Sequence, residues 1–231
     1  MFKITFNLKS NPCFIDRPIF DSIVFHCFIK DKCGVIPHSS KDIDPNIKLN
    51  DDFMTLDEIK KEVPLKLHED DYFIASSMLF NEKENLEYIE NHYKRWNSKD
   101  DDLASFGKNK RQISIQSGKF KSYIIPRVLH TINKVWFYFD TDNLKYLEYL
   151  IDTYLFGIGK KVSSGHGEIE SKTIEIVDFN PFEKEIIRPI PITSIKNNTI
   201  ENFDLNKVKI ASIRRLPPYH SSINKEKCFV I

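Results

Sequence analysis

Lys134-Val135-Trp136-Phe137-Tyr138-Phe139, then Leu144 to Leu155, then Gly157-Ile158-Gly159-Lys160-Lys161-Val162-Ser163-Ser164-Gly165-His166-Gly167: this stretch decides the fold. Its first six residues are dense in β-branched and aromatic side chains and predict a strand. Thr141 or Asp142 can cap a following helix in which Leu144, Leu147, Ile151 and Leu155 recur on one face. Gly157 ends that helix, and four of the chain's seven glycines fall within the eleven residues it opens. Glycines this close free the backbone for positive φ and let N–H groups approach a ligand with no Cβ in the way. Lys160, Lys161, Ser163 and Ser164 lie between the two glycine pairs, so the loop suits phosphate oxygens.

The familiar nucleotide loops do not fit. A Walker loop requires Lys and then Ser or Thr after its last glycine, and His166 follows Gly165 here. The dinucleotide fingerprint would need a third glycine at Val162, and this loop follows a helix instead of opening one. The competing reading of the glycines is a tight helix-to-strand crossover, in which Gly157 acts as a C-cap.

Working outward, Phe2, Ile4, Phe6 and Leu8 alternate with Lys3, Thr5, Asn7 and Lys9, which predicts a strand buried on one side. Asp16-Arg17-Pro18 predicts an N-cap with proline early in a helix whose apolar face is Ile19, Phe20, Ile23, Val24, Cys27 and Phe28. Leu56 to Glu62 reads as a short helix. Tyr72 to Phe80 and Leu86 to Trp96 read as extended and joined by a hairpin turn at Asn81 to Asn85. Ser98 to Lys110 reads as a loop and Gln112 to Gln116 as a short strand. Glu168 to Val177 gives an imperfect strand pattern. Prolines at 181, 189, 191, 217 and 218 argue against a long helix in the tail, which is expected to be extended with a last strand near Cys228 to Ile231. The order amounts to an α+β, ferredoxin-like β-α-β-β-α-β arrangement of the RRM type. Residues 1–180 would form that domain, with a basic insertion at about 98–134, and 181–231 a tail packed on it.

The chain of 231 residues, 41% apolar, can bury one substantial core. It holds no apolar run of about eighteen residues and no signal-peptide pattern at its start, so a cytoplasmic protein without a membrane partner is expected. Cys13, Cys27, Cys33 and Cys228 have neither zinc-knuckle nor disulfide-framework spacing and read as reduced, partly buried thiols. Neither a metal nor a cofactor is expected, since consecutive carboxylates at Asp100, Asp101 and Asp102 point different ways and suit a solvated turn. The net charge of +1 hides a lopsided distribution. No Asp or Glu occurs from Leu103 to Phe139, while Lys108, Lys110, Arg111, Lys119, Lys121, Arg127 and Lys134 do. Interleaved with Phe106, Ser114, Ser117, Phe120, Ser122 and Tyr123, these cations suit a single-stranded nucleic acid. A surface for a neighbouring or acidic protein is the competing use.

The opening Phe2-Lys3-Ile4-Thr5-Phe6 with Arg17-Pro18-Ile19-Phe20-Asp21, the Phe137-Tyr138-Phe139 strand leading through Leu147 and Leu150 to Gly157-Ile158-Gly159-Lys160-Lys161, and Arg188-Pro189-Ile190-Pro191 together resemble the RAMP superfamily of CRISPR-associated proteins. The closer resemblance is to the type IV subunit in the Cas-five-like role, and these features span most of the chain. It implies a non-catalytic subunit that binds the 5′ handle of a guide RNA, caps an interference ribonucleoprotein, and touches its helical backbone subunit, its large subunit and, as a further candidate, target DNA. The RNA contacts it implies are Gly157, Gly159, Lys160, Lys161, Ser163, Ser164, Gly165, His166 and Gly167, with Lys108, Lys110, Arg111, Lys119, Lys121 and Arg127 on a thumb-like insertion. Some members of the superfamily are metal-independent endoribonucleases that use histidine on a 2′-hydroxyl, which makes repeat-RNA processing the runner-up, with His26, His130 and His166 as candidates.

Overall fold

The computed structural model describes residues 1–33, 60–69, 72–94, 122–183, 187–191, 209–214, 216–217 and 225–230. Strand β1 (Phe2–Leu8) is central in a three-stranded antiparallel sheet, flanked by Lys134–Phe139 and Ile169–Ile176. Ile4 and Phe6 face Phe137 and Val135 across one ladder, and Ile4 faces Ile174 across the other. Period-two alternation thus puts one apolar set on one face. Helix α1 (Phe20–Cys33) brings Phe20, Val24, Cys27 and Phe28, all fully buried, onto that face. The Phe20 ring lies 5.2 Å from Phe137 and 4.9 Å from Phe139. Burial pushes the Cys27 thiol up to about 12, which leaves it a packing group without thiolate character. Cys13, Cys27 and Cys228 are buried thiols outside any disulfide among the described residues. Helix α2 (Leu144–Tyr154) adds Leu147, Leu150 and Ile151 to the same core.

The remaining strands are, in chain order, β2 (Glu87–Lys94), β3 (Tyr123–His130), β4 (Lys134–Phe139), β5 (Ile169–Ile176), β6 (Ile190–Pro191), β7 (Lys209–Arg214) and β8 (Lys225–Val230). The last three form their own antiparallel sheet in the order β6-β8-β7. The chain is therefore a mixed α and β protein whose sheets are antiparallel.

Several local expectations need correcting. Pro18 precedes α1, and its carbonyl accepts the Met78 amide instead of starting the helix. The N-cap of α2 is Asn143, which accepts the Tyr146 amide at 3.2 Å; Thr141 is turned inward and donates to the Pro64 carbonyl. The expected hairpin between 72–80 and 86–96 does not form. Asn81 caps a short 3-10 turn, and β2 instead pairs with β3 along its whole length, from Glu87 opposite His130 to Lys94 opposite Tyr123. Residues 75 and 79 bridge to Phe139 and Trp136 at the edge of the main sheet. Ser98 to Lys110 and Gln112 to Gln116 lie outside the described residues, as do Asp100 to Asp102.

Three tyrosines tie the helices together at Asp31. The Tyr146, Tyr154 and Tyr149 hydroxyls donate to its carboxylate at 2.8, 3.0 and 3.3 Å. The Tyr146 bond is the largest cause holding the Asp31 carboxyl below its ordinary range, and desolvation opposes it. A depressed folded pKa means stability present above the unfolded value and lost as pH falls through the folded one. Asp31→Asn is therefore expected to weaken the fold at pH 7, with the deficit shrinking toward pH 3 in urea titrations at both pH values. A constant deficit would show that the amide's geometry, and not the carboxylate charge, causes it.

Candidate nucleic-acid interface

The Gly-rich loop is held by backbone bonds to residues 11–14, which run between it and β3. The Gly167 amide donates to the Asn11 carbonyl at 3.2 Å and the Lys160 amide to the Cys13 carbonyl at 2.6 Å. On the other side the His130 amide donates to the Pro12 carbonyl at 3.1 Å, and Cys13 bridges Leu129. Loop, threaded segment and ribbon base thus form one hydrogen-bonded unit.

That closeness explains three glycines on steric grounds. A Cβ on Gly167 would stand 2.0 Å from the Ile158 carbonyl oxygen, and one on Gly159 would stand 2.7 Å from that of Cys13. A Cβ on Gly157 would meet the Gly167 carbonyl oxygen at 2.7 Å. Gly165 differs: its φ of 87° requires the left-handed region, but nothing lies within 4 Å. Gly165→Ala is accordingly expected to cost about 1–2 kcal/mol for the left-handed backbone alone. Gly167→Ala adds a backbone clash and is expected to lower the melting temperature several times further. Equal losses would contradict the packing seen here.

Of the N–H groups expected to meet phosphate, around Gly159 and from Gly165 to Gly167, the structure corrects the second set. They donate instead to the carbonyls of Val162, Lys161 and Asn11. What the loop turns outward is side chains: Lys160, Lys161, Ser163 and Ser164 are exposed, and Lys161 itself holds a φ of 63°. Among the described residues neither lysine forms an ion pair.

His166 is half-buried, and Arg127 Nη1 donates to its Nε2 at 3.0 Å, so the ring proton belongs on Nδ1. Arg127 is therefore not part of an open insertion: it is buried in β3, opposite Glu90. The Glu90 carboxylate lies 3.7 Å from the same His166 nitrogen. This contact links the glycine loop to the ribbon, whose strand β3 lies within the acid-free basic segment. Lys108, Lys110, Arg111, Lys119 and Lys121 lie outside the described residues.

The histidines do not converge. His130 is buried, stacks on Phe14 with centroids 3.6 Å apart, donates from Nε2 to the Phe14 carbonyl and accepts at Nδ1 from Asn85. Both ring nitrogens are occupied. His26 is exposed on α1. Among the described residues no group of three or more His, Cys, Asp or Glu is placed to hold a metal ion, and no helix is long and apolar enough to cross a membrane.

Sequence reasoning missed the loop's scaffold, Asn11, Cys13, Phe14 and Glu90, because no local pattern announces a backbone pairing across so much chain. It also missed Trp136 and Tyr138 as a surface. The signal was there, since alternation in Lys134–Phe139 sets them on the face opposite buried Val135, Phe137 and Phe139. No protein-family model matches this chain, and no curated protein matches it at a significant level.

Proposed function

We propose that this protein is a non-catalytic RNA-binding subunit of the RAMP type, gripping the 5′ handle of a guide RNA in a type IV CRISPR ribonucleoprotein. The observation that carries the proposal is the pair Lys160 and Lys161, exposed on a loop whose backbone is locked to residues 11–13 and whose His166 meets Arg127 of the ribbon. Cations without an ion pair among the described residues, carried on a preorganised loop, suit phosphates, because little backbone ordering remains to be done on binding.

What supports this reading is a strand order compatible with a ferredoxin-like fold. Residues 75–79 bridge β4, β4 pairs β1 and β1 pairs β5, with α1 and α2 packed on one face. Two stretches cited for the resemblance also meet in the core: the Arg188 guanidinium lies 3.6 Å from the Asp21 carboxylate. The engaged ring of His130 favours the binding role over the nuclease role.

The partners are guide RNA and neighbouring subunits of the complex. The test is binding of repeat-derived RNA by the wild type and by Lys160→Glu/Lys161→Glu, in EDTA, with the RNA recovered at full length. Site-specific cleavage abolished by His166→Ala would overturn the non-catalytic assignment.

A further inference from the structure

The face of the main sheet turned away from the helices carries its own chemistry. Lys134, Trp136 and Tyr138 project from β4, while Lys3 and Thr5 of β1 stand directly opposite Tyr138 and Trp136. These side chains floor a groove of about 710 Å³, walled by the turns at residues 81–84 and 131–134. Trp136 and Tyr138 are half-buried, no helix among the described residues packs on them, and the Phe179 ring meets Tyr138 in a T-shaped contact with centroids 5.9 Å apart. Alternate residues of a strand are about 6.8 Å apart, so two aromatic rings succeed one another along the groove floor at a distance an extended single strand can match base by base.

Cations flank that pair. Lys134 lies at one end, exposed and without an ion pair among the described residues. Lys3 lies at the other, its Nζ 5.9 Å from the Trp136 ring centre and 2.8 Å from Glu175. Glu82 and Glu84 on the rim are already engaged, by Arg17 and Asn81, each at 2.6 Å. Those carboxylates disfavour phosphates on their side and leave the backbone to the two lysines.

We infer that this face is a stacking platform for two consecutive unpaired nucleotides of single-stranded RNA, with Trp136 and Tyr138 beneath the bases and Lys134 and Lys3 on the flanking phosphates. The inference rests on the reading of the protein as an RNA binder and is independent of the glycine loop. Base–aromatic stacking of this kind tolerates any base, so affinity without strong sequence preference is expected.

The test uses the full chain carrying Trp96→Phe, which leaves Trp136 as its one tryptophan. Titration with single-stranded heptamers of uridylate and of adenylate is expected to quench its fluorescence. Trp136→Leu should weaken heptamer binding at least about fivefold, and Trp136→Phe, which keeps a stacking ring, should restore most of it. Quenching that persists in Lys160→Glu/Lys161→Glu supports the platform separately from the loop. Absence of quenching, with unaltered affinity in a folded Trp136→Leu protein and lost affinity in the loop variant, overturns the platform and leaves the loop reading standing. No heptamer binding by any version overturns both.

Discussion

Replacing Arg188 by methionine is expected to lower folding stability by about 3–5 kcal/mol, because it removes the guanidinium that stands 3.6 Å from the fully buried Asp21 carboxylate. Arg188 and Asp21 are 1% and 0% exposed. The guanidinium donates from Nη1 to the carbonyls of Phe73 and Ala75 and from Nε to that of Pro189, and its plane lies 4.4 Å over the Tyr72 ring. One side chain therefore fastens α1, the edge segment at 73–75 and the start of the C-terminal region. Loss of that fork removes donors from two buried carbonyls as well as the charge, and each orphaned group adds about 1–3 kcal/mol of desolvation cost. Against a total stability typical of domains this size, about 5–15 kcal/mol, the urea midpoint should fall by a large fraction. Arg188→Lys keeps the charge but not the planar fork and should fall between. Arg188→Met combined with Asp21→Leu should regain much of the loss, since it removes both buried charges together. A single Arg188→Met protein as stable as the wild type would refute this account.

The same residues show what a sequence discloses. Arg17 to Asp21 and Arg188 to Pro191 stood out as stretches, but nothing local says that Asp21 meets Arg188, because the pairing is made by tertiary packing alone. Elements whose signal is their own periodicity were legible: β1, β4, β5 and α2 lie where alternation or a recurring apolar face put them. The ribbon was not. Charged residues between two extended runs look like a hairpin turn, yet β2 finds its partner in β3, beyond an intervening stretch of more than twenty-five residues. Pro126 inside β3 hid that strand further; it stands opposite Asn91. The glycine loop was legible as a loop and misread in detail. Its glycines answer to the carbonyls of Ile158 and Cys13, and the amides of Gly165 to Gly167 are spent on bonds within the protein.

Reversing Lys160 and Lys161 to glutamate is expected to produce the largest change in RNA affinity. Each lysine that neutralises a phosphate releases counterions, and for single strands the slope of log K against log salt is about −0.7 per phosphate. Two such contacts contribute about 1.4 to that slope, which at 0.1 M salt corresponds to roughly 25-fold in affinity relative to 1 M. The variant should therefore bind repeat-derived RNA at least about 25-fold more weakly at 0.1 M, and its salt slope should be shallower by about 1.4, with the two proteins converging near 1 M. The slope is the informative part. A lost fold would also lower affinity, but it would not leave the far-UV spectrum and the melting temperature intact while removing two counterions. Both lysines are exposed, and Lys161 already holds a left-handed backbone that the loop's own bonds maintain, so stability should change by less than about 0.5 kcal/mol. If the salt slope is unchanged in a folded variant, the lysines face something other than phosphate.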